Sequence, residues 1–281
     1  MGDLAADTAV TAVGDGAYTA LISPEWEIWG PMGGYVASVA LRAAEAASPF
    51  PRPASFSCHY LGVARFDEVQ LTVRTLRSAR TAMSQRVEVR QGDKPILEAT
   101  VWSVGDVDGL VHDVVEPPDA PGPDELKSVE ELLTDEERAA RPNYPFWDNL
   151  ESKPLTWWDE MPTAPLPPVW QTWLRFAPTA TFEGPWVDAC RSLVLIDLQS
   201  WPSASRQHFG APVAYTAPSL DLYVAFADPQ PGSDWLLADG YGPVARDGLM
   251  TWNGRLWSVD GHLVATGEGQ MLCRRLPTPP G

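Results

Sequence analysis

The fold of this chain turns on the run 186-WVDACRSLVLIDLQSW-201, from Trp186 to Trp201. Within it Cys190, Leu193, Val194, Asp197 and Trp201 recur at steps of three and four residues, which places them on one face of a helix. Asp197 is the one carboxylate on that apolar face. An ionised Asp that leaves water without a partner is costly, so a chain that keeps one there hydrogen-bonds it, pairs it or exploits its shifted pKa. A structural acceptor and a catalytic carboxylate fit that pattern equally well.

A second helix of the same kind stands far upstream. Gly33 and Gly34 precede Tyr35 to Ala47, where Val36, Val39, Ala40 and Ala43 hold helical spacing and Ser38, Arg42 and Glu45 form a narrow polar stripe. Side chains this small suit a helix that something wraps closely, and Pro49, Pro51 and Pro53 stop it. Strand-like alternation follows at Val69, Leu71 and Val73 and at Gln85, Val87 and Val89, with Ile96 to Val104 beyond a Gln91-Gly92-Asp93 turn. The helix of Trp186 repeats this order: Leu220, Leu222, Val224 and Phe226 alternate, then strands are predicted at Trp235–Leu237, Leu249–Ser258 and His262–Cys273. The turns at Gly92-Asp93 and Asp260-Gly261 lie about 170 residues apart, the period of a duplicated domain and not of a solenoid repeat. The reading is an α+β tandem duplication: an N-terminal unit over 1–104, a linker region over 105–184 and a C-terminal unit over 185–281.

The linker is acidic and proline-rich, with Pro117, Pro118, Pro121 and Pro123. Residues 105–140 hold twelve of the acidic residues and two of the basic ones, so most of the net charge of −17 lies there. Ser128-Val129-Glu130-Glu131 matches a capping box. Beyond it Trp147, Trp157, Trp158, Trp170 and Trp173 crowd a region of many prolines, as loops packed by aromatic contacts or as a lid on an apolar ligand. With no basic stretch, neither nucleic acid nor an acidic membrane is an expected partner. Cys58, Cys190 and Cys273 are odd in number and widely spaced, which suits reduced thiols in a cytoplasmic protein and offers no metal-ligand spacing. No export signal, myristoylation signal or membrane span is expected.

Three further features join Asp197. Pro31-Met32-Gly33-Gly34-Tyr35-Val36 opens the first helix, where free N–H groups and the helix dipole suit a carbonyl oxygen turning negative. Ser219-Leu220-Asp221 begins a strand, and Gln270 lies in the last strand, Gly267-Glu268-Gly269-Gln270-Met271. Their order resembles the acyl-CoA thioesterase II family, the double hotdog thioesterases, over roughly residues 20–104 and 185–275. That resemblance implies two antiparallel sheets, each wrapped around a long helix. It also implies hydrolysis of an acyl-CoA or acyl-carrier thioester by a water held on Asp197, Ser219 and Gln270, with Gly33, Gly34 and Tyr35 at the substrate. No cofactor and no metal are implied, a role in lipid metabolism is, and further homo-oligomerisation is expected. Three departures stand out: Tyr35 replaces the family's common Gln after Gly-Gly, Gly62-Val63-Ala64 stands where Arg-Pro-Gly is expected, and Gln270 is one residue out of step with Val264-Ala265, so that it matches the family's Gln only with a bulge at Gly267 or Gly269.

Other functions have weaker sequence support. No G-x-S-x-G elbow accompanies the four histidines, His59, His112, His208 and His262, and His59 is expected in the core of a strand. A hydratase or dehydratase of this fold class would have Asp197 and His208 as its only pair. A non-hydrolytic module that binds or transfers an acyl thioester is the remaining alternative.

Overall fold

The computed structural model describes residues 1–140, 144–160, 162–210 and 215–276. Six strands come from the first half: β1 (Thr11–Gly14), β2 (Ala17–Leu21), β3 (Arg52–Tyr60), β4 (Glu68–Ser78), β5 (Ala82–Gln91) and β6 (Lys94–Val104). Eight follow: β7 (Leu150–Pro154), β8 (Val169–Phe176), β9 (Tyr215–Thr216), β10 (Asp221–Phe226), β11 (Trp235–Arg246), β12 (Leu249–Ser258), β13 (Leu263–Leu272) and β14 (Arg274–Arg275). All but β9 and β14, which pair with each other, join one sheet of 12 strands in the order β1-β2-β4-β5-β6-β3-β10-β13-β12-β11-β8-β7. Read outward from the β3/β10 seam, the two halves have the same order. The duplication expected from sequence is therefore an internal pseudo-dimer, fused edge to edge where Cys58 faces Leu222 and Phe56 faces Val224. This is the tandem hotdog architecture.

The sheet curls around two long helices, Gly33–Ala46 and Pro185–Leu198. The strands that flank them follow the expected alternation. Val69, Leu71, Val87, Val89, Leu222, Val224, Leu256 and Ala265 are buried, while Gln70, Glu88 and Tyr223 are exposed. Gly92 and Gly261 adopt the positive φ that their hairpin turns need.

The helices also pack against each other, antiparallel: Gly34 lies on Leu193 and Val194, Ser38 donates to the carbonyl of Cys190, and Trp186 donates to the carbonyl of Phe50. The small residues of the first helix thus serve a helix–helix contact as well as the sheet around it. A side chain at Gly34 would place its Cβ 2.5 Å from the Leu193 carbonyl oxygen and 2.7 Å from Val194 Cα. In the second helix Asp188 pairs with Arg191 at 2.6 Å, both fully enclosed, and also accepts from the Phe182 N–H.

The span 105–184 is only partly a linker. Ser128 and Glu131 form the expected capping box. Residues 150–154 and 169–176, however, are β7 and β8, which complete the second half as β1 and β2 complete the first. Trp173 from β8 packs with Leu237 and Trp257 in a small core of its own. The prolines before and after β8 hid it: β8 is central neither in the sheet nor in the fold, and a strand next to an edge can start directly after Pro167 and Pro168.

Candidate active site

Asp197 ends the apolar face of the second helix and is 6 % exposed. Its Oδ2 accepts the Gly34 N–H at 2.8 Å and its Oδ1 accepts the Ser219 hydroxyl at 3.0 Å. The carboxylate therefore caps the first helix from across the helix pair, where Met32 offers no side-chain cap. Burial pushes its pKa up from 3.8 to about 6, against the opposing pull of the Ser219 and Gly34 hydrogen bonds. A carboxylate poised there ionises near neutral pH and remains basic enough to take a proton.

Ser219 reaches Asp197 because the sheet slips by one residue. Along β10 the buried positions are Leu222, Val224 and Phe226, so an unbroken ladder would turn Ser219 outward with Tyr223. Tyr223 faces Glu268, but Ser219 faces Met271, which leaves three residues between the two contacts on one strand and two on the other. The extra residue reverses the side-chain parity. Opposed residues share one face of a sheet, and Met271 is fully buried on the helix side, so Ser219 points there too. Asp221, within the bulge, accepts the N–H of Gln270 at 2.9 Å.

The same geometry separates Gln270 from the site. From Ala265 to Leu272 β13 pairs with β12 without interruption, so the bulge needed at Gly267 or Gly269 to turn Gln270 inward does not occur. A Cβ on Gly267 would touch Ile196 of the second helix, which fixes the odd-numbered positions as inward. Gln270 faces the opposite side, in a polar recess beside Ser57, His59 and Glu268. The inward neighbour is Gly269, where a Cβ would lie 2.5 Å from the Asp221 carbonyl oxygen. No side chain fits in that slot.

Asp197 and Ser219 open onto a cavity of about 580 Å3. Both halves build it. Ile28, Met32, Val36, Leu61 and Ile96 come from the first and Leu198 and Leu220 from the second, with Trp29, Trp147 and Trp201 exposed around it. The site is thus shared across the pseudo-dimer and is not confined to the C-terminal unit. Trp147 alone of the crowded tryptophans lines the cavity; Trp158 instead meets Phe209 edge to face and carries the Arg206 guanidinium over its ring.

The glycine pair divides its work. Gly34 commits its N–H to Asp197, and the amides of Tyr35 and Val36 turn back to Met32. The Gly33 N–H, at the cavity wall, has no protein partner among the described residues and is the first-turn donor left for a ligand. Tyr35, expected at the substrate, does not line the cavity. It is wholly buried, stacks on Trp26 and donates its hydroxyl to the Asp7 carbonyl, locking the amino-terminal segment to the helix.

Tyr60 enters the site unannounced by the sequence reading. In β3, Phe56, Cys58 and Tyr60 take the helix side while Ser57 and His59 are exposed, so His59 is a surface residue and not a core one. The alternation of Phe56, Cys58 and Tyr60 with Ser57 and His59 is the sequence signal that turns Tyr60 inward. His208 is exposed and does not line the cavity, leaving Asp197 without an imidazole partner among the described residues.

Comparison with known proteins follows the same division. The family described as "Acyl-CoA thioesterase N-terminal domain" matches residues 22–104, and "Acyl-CoA thioesterase C-terminal domain" matches residues 117–272, including β7 and β8. Curated protein sequences give no match. Among solved structures, acyl-CoA thioesterase II TesB2 of Mycobacterium marinum aligns with a TM-score of 0.78 at 19% identity, over 98% of this chain and 99% of that one. A tesB protein of Mycobacterium avium subsp. paratuberculosis aligns at 0.77 and 22% identity, over 96% and 98%. The dehydratase domain of PpsC from Mycobacterium tuberculosis, solved with C12:1-CoA, aligns at 0.55 and 14% identity, over 96% and 99%. Likeness at these identities speaks for the shared fold.

Proposed function

Because this chain belongs to the acyl-CoA thioesterase family, its chemistry is thioester hydrolysis, and we propose that Asp197 activates the attacking water directly, with no covalent acyl-enzyme. The observation that carries this reading is a buried carboxylate, poised at about pKa 6, at the wall of an apolar cavity with a serine hydroxyl on one oxygen and a helix amide on the other. The acyl chain lies along Ile28, Met32, Leu61 and Leu198, and the thioester carbonyl meets the Gly33 N–H. Water adds to the carbonyl carbon and gives its proton to Asp197. The C–S bond then breaks, and the departing sulfur takes that proton. Ser219 holds the carboxylate's orientation and accepts from the same water.

Thiol release from acyl-CoAs of graded chain length, followed from pH 5 to pH 8, tests this. Only the ionised carboxylate is a base, so kcat/KM should rise with pH through about 6 and then level off. A rate independent of pH across that range would remove Asp197 as the base. Ser219→Ala removes a donor that favours the ionised form, so its midpoint should move to higher pH, with a loss of about tenfold on the plateau.

A further inference from the structure

We propose that the Tyr60 hydroxyl is a catalytic donor, partnering the Gly33 N–H in holding the thioester carbonyl oxygen as it becomes negative. The proposal deepens the hydrolytic reading above and rests on it. Tyr60 ends β3 on the helix side and lines the cavity, and its oxygen is enclosed in the resting protein with no nitrogen or oxygen partner among the described residues, only the weakly bonding thiol of Cys58 beside it. A buried hydroxyl without a strong partner is costly and needs a reason for being kept. Its neighbours supply one. A Cβ built on Gly33 would lie 2.7 Å from Asp197 Oδ2 and 3.2 Å from the Tyr60 oxygen, so base, phenol and the free amide of Gly33 surround one small gap. Only the absence of a side chain at Gly33 keeps that gap open.

The phenol also has the right charge state. Burial first, and then the Asp197 carboxylate, hold its pKa well above the ordinary tyrosine range, so it remains a donor at every working pH. The slot from which an inward Gln amide would reach the water is occupied by Gly269, which cannot carry a side chain there. Tyr60 brings a neutral donor to the same centre from the other half of the pseudo-dimer. As water adds, the carbonyl π pair moves onto oxygen and the O–H and N–H donate to it. When the C–S bond breaks the pair returns, and neither donor loses its proton.

The test is Tyr60→Phe, which removes one oxygen and keeps the ring. With a medium-chain acyl-CoA, kcat should fall about 100-fold while KM stays within about threefold, since the bond forms mainly in the transition state. The melting temperature should hold or rise, because the hydroxyl lost has only the weak Cys58 thiol as a partner among the described residues, and the acid limb near pH 6 should persist because Asp197 remains the base. A variant that keeps kcat within about threefold of the wild type while the wild type hydrolyses thioesters overturns the role of Tyr60 and leaves the hydrolytic reading intact. A wild type that hydrolyses no thioester overturns both.

Discussion

Gly34→Ala is expected to lower stability by about 3 kcal/mol or more and to abolish most activity, although it adds a single methyl group. The new Cβ would lie 2.5 Å from Leu193 O, 2.7 Å from Val194 Cα and 3.0 Å from Leu193 C. All three are backbone atoms in the middle of a buried helix, so no side-chain rotation relieves the contact and the helices must part. Parting them lengthens the Gly34 to Asp197 hydrogen bond and the Ser38 to Cys190 one, which couples the packing fault to the site. Gly33→Ala is the informative partner. Its Cβ would meet the Asp197 carboxylate at 2.7 Å and the Tyr60 ring end at 3.2 Å, both side-chain groups that can move. It should lose activity by displacing the base while melting closer to the wild type. Thermal denaturation and thiol release on the two variants side by side decide it. Equal melting temperatures for Gly34→Ala and the wild type would show that the helices are not locked as described.

The contrast between these adjacent glycines also marks the limit of what the sequence discloses. Helical periodicity showed Asp197 on an apolar face and a glycine pair at a helix start, because each follows from spacing within one element. That the two meet is a property of the antiparallel helix pair, visible only once both are folded. Ser219 reaches the site and Gln270 misses it by the same arithmetic. Side chains alternate along a strand, so a single extra residue between Ser219 and Tyr223 turns Ser219 inward, and the lack of one in β13 leaves Gln270 outward. Bulges belong to pairs of strands, and a strand read alone does not reveal them. Strand β8 is masked in the sequence for another reason. Trp170 to Phe176 has strand composition, but the prolines at 165, 167, 168 and 178 read as loop punctuation around it.

Asp197→Asn should reduce kcat by about three orders of magnitude and leave the fold intact, because the amide reproduces the hydrogen bonds but not the base. Its carbonyl oxygen can accept the Gly34 N–H and its NH2 can donate to the Ser219 oxygen, so neither neighbour is left unpaired. Stability moves the other way with pH. The folded-state pKa of Asp197, about 6, lies above its ordinary value of 3.8, so the folded protein holds the proton more tightly than the unfolded chain does. The resulting stabilisation is fully present below about pH 3.8, is lost as pH rises through about 6, and amounts to roughly 3 kcal/mol across that window. The wild type therefore gives up stability to ionise Asp197 in the range where ionisation makes it a base. The Asp197→Asn variant has no such dependence at this position. Chemical denaturation of both proteins at about pH 4.5 and pH 8 should show the variant gaining on the wild type as pH rises, while thiol release shows it nearly inactive throughout. A variant that retains a tenth of the wild-type rate, or whose stability difference from the wild type is the same at both pH values, would contradict the assignment of Asp197 as a buried, titrating base. The first outcome would locate the chemistry elsewhere in the cavity. The second would show a carboxylate already ionised by its two donors, more cap than base.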